Sequence, residues 1–430
     1  MKKRIIYLII ILTSTCCSTE LSKDQYCLLM NAYKEKNFFK LDKLMSTIEF
    51  SKNNPDLILY KATLDNVFNK QEESNQLISI LLDQKPKYFN DTIVKELYFM
   101  RSQNAYMLQD YKSAYFNDSI IVNHYRNVCD SSEIEMRQFD ISILRSIMDV
   151  PKMEINIPDN SMIPISRDIA GLQNVSVTLQ NDSLDFAFDT GAEFSVIVES
   201  LARKYDVKIF EDKVRVGTAT SKIVEGHMGL SDIKLGNIEL KNVVFLVLSD
   251  SLLTFNNGLY VIKGIIGFPV IYAFKEFTIK DDEVLLISHK NQKSIDKNFA
   301  IYGQSIRIRV IVNNNTLPFL FDSGNTGTYL SSSFFARYKN EIIGKCKKEI
   351  LEIGGAGGMV KTEAYIIDSI AISAGNSILT MHSIEIYPEE FMSYDKFVYG
   401  NFGQDYINKF SEMNMDFTTM NISFIDKKNR

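Results

Sequence analysis

Two short segments of this 430-residue chain end in the same three-residue group: Leu184-Asp-Phe186-Ala-Phe188-Asp189-Thr190-Gly191 and Leu317-Pro-Phe319-Leu-Phe321-Asp322-Ser323-Gly324. One Asp-Thr/Ser-Gly group arises easily by accident, but two at matching places supply a pair of carboxylates. Two carboxylates held a few ångströms apart cannot both ionise, so they keep one proton between them over a broad pH range. One is then a base and its partner an acid. A water between them can be deprotonated as it attacks a carbonyl carbon, while the protonated partner donates to the developing oxyanion. That chemistry requires no metal and no cofactor, and none is expected.

The elements that must deliver these carboxylates are legible as a repeat. Counting back from each aspartate, apolar residues fall at minus 14, 12, 10, 5, 3 and 1: Val175, Val177, Leu179, Leu184, Phe186 and Phe188 against Ile308, Val310, Val312, Leu317, Phe319 and Phe321. Spacing of two on either side of an Asn-rich turn (Asn181-Asp182, and Asn313 to Asn315) predicts a β-hairpin with one buried face in each half. Counting forward, Ile197 and Leu330 both lie at plus 8, and a helix-like Ala202-Arg203 or Ala336-Arg337 follows. Further on, Gly264-Ile-Ile-Gly267 lines up with Gly400-Asn-Phe-Gly403, 78 residues from Asp189 to Gly267 and 81 from Asp322 to Gly403. Agreement over that length argues for two copies of one fold unit.

The paired Asp-Thr/Ser-Gly groups, each with a Gly-rich segment and a downstream apolar-apolar-Gly strand, resemble the retropepsin-like and pepsin-like aspartic peptidases. The likeness is greatest to the bacterial single-chain type with two fused retropepsin-like halves, and it covers roughly residues 165 to 425. It implies a mainly β fold, a bilobal pepsin-like pair of double-ψ β-barrels, with Asp189 and Asp322 catalytic and a polypeptide as substrate. By the same resemblance Thr190 and Ser323 bond across the lobe interface. Gly191 and Gly324 turn their N–H groups toward the carboxylates, and the strands ending at Gly267 and Gly403 pack the loops from behind. One departure stands out: the residue after the first group is Ala192, but after the second it is Asn325, which either bonds the loop or marks a lobe drifting from activity.

Between each aspartate and its downstream glycine the family places a flap. The candidates are Gly217, Thr218 and Ala219 within 216–220, and Gly354, Gly355, Ala356 and Gly357 within 353–358; the plainer reading is an ordinary flexible hairpin. Neither phosphate-loop spacing can be laid on the glycines.

Lys2-Lys3-Arg4 precede the apolar run Ile5 to Leu12, which is too short for a permanent membrane span and reads as an export signal. Cys16 or Cys17 directly after it suggests a signal peptide at 1–17 with lipid attachment, hence a cell-envelope lipoprotein anchored to a membrane; plain secretion is the alternative. Cys27, Cys129 and Cys346 form no disulfide framework or metal spacing, and the four histidines are scattered. Residues 22–150 change texture. Leu57 to Phe68, Glu72 to Leu82, Ile93 to Leu108 and Tyr111 to Tyr125 read as helices, and the turn at Gln109-Asp110 resembles a tetratricopeptide-type (TPR-like) pair. This N-terminal domain is either a docking surface for a protein partner or a spacer. Three prolines within 151–164 suggest a linker, followed by lobes at 165–296 and 297–430. A net charge of −5 gives no reason to expect nucleic acid. Two function classes remain: an envelope endopeptidase, or a non-catalytic lipoprotein that binds a peptide or envelope component.

Overall fold

The computed structural model describes residues 21–84, 88–218, 222–287, 296–355, 358–389 and 397–427. Residues 1–20, where a signal peptide with Cys16 or Cys17 is expected, and the flap candidates Ala219, Ala356 and Gly357 lie outside the described residues. The described chain is mainly β, with two multi-stranded sheets behind an N-terminal helical region.

Among the described residues seven α-helices build the N-terminal region: α1 (Lys23–Lys34), α2 (Phe38–Met45), α3 (Pro55–Val67), α4 (Gln71–Ser79), α5 (Asp91–Met107), α6 (Tyr111–His124) and α7 (Ser131–Ile147). The polar residues that punctuate the sequence are their N-caps. Ser22, Asn37, Asn54, Asn90, Asp110 and Asp130 each accept a backbone N–H of the first turn, satisfying donors that the helix itself leaves unpaired. Inside, Asn66 donates to Asn104 Oδ1 at 2.8 Å, and Asn104 donates to Ser74 Oγ at 3.0 Å. These buried amides fix the way α3, α4 and α5 meet. None of the described helices is long and apolar enough to cross a membrane.

Each carboxylate-bearing strand belongs to a ring of six paired strands. In the first ring Gln173–Leu179 pairs with Asp182–Phe188, which runs parallel to Gly264–Ile266; the pairing then passes through Ser195–Val198, Ile238–Leu248 and Ile223–Leu235 and returns to Gln173–Leu179. The second ring repeats this order through Ser305–Val312, Asn315–Phe321, Gly400–Phe402, Tyr329–Leu330, Ser377–Ile386 and Gly358–Ala374. Parallel and antiparallel steps fall at the same places in both. The apolar positions of the repeat are the buried ones, from Val177 and Phe186 to Val310 and Phe319. The helix-like pieces are α8 (Glu199–Lys204) and α10 (Ser332–Lys345). The first hairpin turns at Gln180-Asn181, one residue earlier than expected, because Leu179 pairs directly with Asp182.

After the downstream glycines come α9 (Phe268–Ala273) and α11 (Gln404–Ile407), and then strands that join the rings. Glu276–Lys280 lies antiparallel to Phe410–Asp416 with Thr278 opposite Asn414. Those two residues occupy the same place in the repeat, 136 positions apart like Gly267 and Gly403. A residue paired with its own repeat mate marks an approximate two-fold axis. Asn414 Nδ2 donates to Thr278 Oγ1 across it at 3.0 Å.

Residues 151–164, expected as a linker, instead contribute to the sheet. Glu154–Asn156 pairs with 239–241, and Ser161–Arg167 pairs with Val284–Ile287 and with 173–175. Proline did not end the strand because Pro164 sits on its exposed side while Ser161 and Ile163 face the core.

Candidate active site

Asp189 and Asp322 leave the ends of Asp182–Phe188 and Asn315–Phe321, where the strand running alongside catches each backbone. Asp189 N–H donates to Ile266 O, and Asp322 N–H donates to Phe402 O, both at 3.0 Å. The two residues behind them are buried and bonded reciprocally. Thr190 N–H donates to Ser323 Oγ at 3.0 Å, and Ser323 N–H donates to Thr190 Oγ1 at 2.9 Å. Each hydroxyl in turn donates a hydrogen bond to the opposite strand: Thr190 to Phe321 O at 3.3 Å, and Ser323 to Phe188 O at 2.9 Å. Four bonds thus tie one loop to the other, with no buried donor at these positions left unpaired.

This brace brings the carboxyls of Asp189 and Asp322 into hydrogen-bond contact. Each lies over the glycine of the other loop. A Cβ on Gly191 would stand 2.6 Å from Asp322 Oδ1, and one on Gly324 would stand 2.5 Å from Asp189 Oδ1. Any side chain there would take the space of the opposite carboxylate.

The two acids are not equivalent. Asp189 Oδ1 accepts from the N–H groups of Gly191 at 2.8 Å and Ala192 at 3.1 Å, and Gly324 N–H also favours its charged form. Asp322 Oδ1 accepts from Gly324 N–H at 2.9 Å, and Asn325 N–H also favours its charged form. Burial pushes both carboxyls up, and for Asp322 the adjacent Asp189 charge and the bond to it push further, well above the usual carboxylate range. The two environments favour the shared proton on Asp322 and the negative charge on Asp189.

Gly267 and Gly403 stand directly behind the loops. A Cβ on Gly267 would meet the carbonyls of Phe194 and Ala192, and one on Gly403 would lie 2.5 Å from Gly327 O and 2.9 Å from Asn325 O. Ala192 O accepts from Phe268 N–H, and Asn325 O accepts from Gln404 N–H, both at 2.8 Å. Asn325 turns its side chain into its own loop, where Oδ1 accepts from Gly327 N–H at 3.1 Å.

Three supports were not read from the sequence. Ser195 Oγ accepts from Gly267 N–H, and Thr328 Oγ1 accepts from Gly403 N–H, both at 3.1 Å. Both hydroxyls lie six residues past their aspartate, so a comparison of polar as well as apolar offsets would have found them. Buried Gln404 donates to Ser323 O at 2.6 Å and accepts from Arg167 Nη1 at 2.6 Å. It has no polar counterpart in the first half, where Phe268 takes its place, so no repeat signal marks it.

Of the flap positions, Gly217 and Thr218 close the hairpin of Lys208–Gly217 with Ile223–Leu235. Thr218 N–H donates to Lys222 O at 2.9 Å. Gly354 and Gly355 close the hairpin of Lys347–Gly355 with Gly358–Ala374. Lys222 Nζ is 3.4 Å from where a Cβ on Gly358 would stand, so the two tips are neighbours.

A half-buried, braced pair of carboxyls where two matching rings meet has the geometry that acid–base activation of a bound water requires. Comparison with known proteins agrees for the first ring: residues 175–270 match the family described as aspartyl protease, a protease-type hydrolase. Among solved structures, conglutin gamma, a basic 7S globulin from lupine seeds, is similar at 10% identity with a TM-score of 0.39, covering 63% of this chain and 96% of that one. No curated protein sequence matches.

Proposed function

We propose that the protein is an aspartic endopeptidase, with two fused retropepsin-like halves forming a bilobal pair of double-ψ barrels and a polypeptide bound beneath the two hairpins. The observation that carries this reading is the hydrogen-bonded Asp189–Asp322 pair held by the reciprocal Thr190 and Ser323 bonds. Anionic Asp189 takes a proton from a water as its oxygen attacks the scissile carbonyl carbon, and Asp322 gives its proton to the carbonyl oxygen. The resulting gem-diol returns a proton to Asp322 and the leaving nitrogen takes one from Asp189, so both acids regain their starting states as the C–N bond breaks. Bare backbone at Gly217, Gly354 and Gly355 suits hydrogen bonding to an extended substrate.

The pH dependence follows from the two environments. Activity requires Asp189 ionised and Asp322 protonated, and both carboxyls are raised, so both limbs of the rate profile move up and the optimum falls in the mildly acidic to near-neutral range. A kcat/KM profile on a short peptide tests this, with stability checked at each pH. An optimum confined to strongly acidic solution contradicts it. The leader further supports export and a lipid anchor at Cys16 or Cys17; fatty-acid labelling that survives replacement of both cysteines by Ala refutes the anchor.

A further inference from the structure

The second dyad loop is braced within the β-domain, by Gln404 donating to Ser323 O and by Arg167 behind it. In the first loop Phe268 replaces Gln404 and offers no such bond, yet the chain past Asp189 is held from another side. Tyr106 of α5 donates its hydroxyl to Glu193 O at 3.3 Å and sets its ring edge-on to Phe194, with centroids 5.9 Å apart. Beside it, Arg137 of α7 is bonded to Asp118 of α6 at 3.1 Å and to Asp140 at 3.0 Å, and lies 4.6 Å from the Phe99 ring of α5, which ties α7 to the other two helices. The helical region therefore supplies to the first loop what the β-domain supplies to the second.

The same helices reach the first of the two flap hairpins, Lys208–Gly217 with Ile223–Leu235. One hydrophobic core joins Tyr106, Ile143 and Leu144 to Phe194, Val214 and Met228, the last two lying in opposite strands of that hairpin. At its edge Arg215 sits 5.0 Å from the Phe139 ring of α7 and 4.0 Å from Glu135. Among the described residues the second hairpin is covered only at its base, where Phe335 of α10 stacks on Tyr365 at 5.3 Å and Ala364 is buried. Every residue of Lys347–Gly355 keeps some solvent contact, Ile350 is 73% exposed and Met359 is 53% exposed. Val214 and Met228 are 0% exposed.

We propose that the helical region is a positioning element of the active site: Tyr106 holds the Asp189–Phe194 loop, and α7 pins the first hairpin, so that of the two hairpins the second is the freer to move aside for substrate. The statement about substrate rests on the peptidase reading; the statement about restraint does not. Local opening free energy depends on the apolar contacts an element makes, so unequal burial gives unequal hydrogen exchange. In the full chain, amides of 208–217 and 223–230 are expected to exchange at least ~10-fold more slowly than those of 347–355 and 358–366. Phe139→Ala should speed the first hairpin several-fold and leave the second and the α3–α4 amides unchanged.

A kinetic arm separates positioning from folding. Loosening the loop weakens the Gly191 and Ala192 N–H bonds that favour the Asp189 anion, so Tyr106→Ala should move the acid limb of the pH–rate profile upward, whereas loss of folded protein lowers the amplitude without moving the limb. Tyr106→Phe keeps the ring packing and should move it less. Equal exchange of the two hairpins in the unaltered protein, or Phe139→Ala speeding both alike, overturns the proposal. Should no peptide be cleaved, the exchange data still decide whether the helices restrain the first hairpin, so failure of the peptidase reading is not mistaken for failure of this one.

Discussion

Replacing Asp322 by Asn is expected to abolish peptide hydrolysis, by at least about 10³-fold in kcat/KM, while making the protein more stable at neutral pH. The loss follows because the acid that protonates the carbonyl oxygen is gone and the two carboxyls work as one unit. The gain follows from linkage. Asp322 is held well above the usual carboxylate range by burial and by Asp189, so the folded state binds its proton more tightly than the unfolded chain does. Below about pH 4 both states are protonated and the shift has no effect. As pH rises from there through the raised value, the unfolded state releases its proton freely and the folded state is penalised. Asparagine carries no charge and escapes that penalty, so the difference in melting temperature between variant and parent should widen as pH rises over that window and then level off. Thermal unfolding at a series of pH values checks it. A variant uniformly less stable than its parent would mean that the Asp322 carboxyl is not forced to share a proton.

Gly324→Ala is expected to cost ~10²-fold or more in kcat with the fold retained, because precise placement of reacting groups carries that much rate. The added methyl would stand 2.5 Å from Asp189 Oδ1, so the carboxylate must leave its place over the second loop and lose its contact with Asp322. Gly327→Ala is the matched control. It makes the same change three residues further along the same loop, where no atom lies within 4 Å of the new methyl. Similar kinetic losses in the two variants would show that the loop is sensitive to any substitution and that the glycine under Asp189 has no special part.

What the sequence disclosed and what it hid divide along physical lines. Strands of the two rings were readable because one face of each is buried, so apolar residues alternate, and because the repeat supplied every pattern twice. Asp189 and Asp322 stood out for that reason, as did Gly267 and Gly403, whose side-chain space is taken by the neighbouring loop carbonyls. Features present in one half only left no such mark. Gln404 has Phe268 as its counterpart, and Tyr106 is one of many tyrosines in a helical stretch. Helix α7 was missed because Arg137 and Asp140 sit in an ion cluster where apolar residues would have continued the stripe. The short α1 and α2 were missed although Ser22 and Asn37 cap them. Residues 151–164 were misread because proline was taken as a break, when a proline on the exposed side of a strand costs little.

The measurement that bears most directly on the central claim is digestion of a mixed peptide library by the full chain and by its Asp189→Asn variant, followed by mass spectrometry of the products across about pH 4 to 8. Purification from a host lacking other aspartic peptidases removes the chief contaminant. The account predicts cleavages inside extended peptides by the unaltered protein, most frequent at mildly acidic to near-neutral pH and absent with the variant. The same cleavages from both proteins, or none from either at any pH, would contradict it.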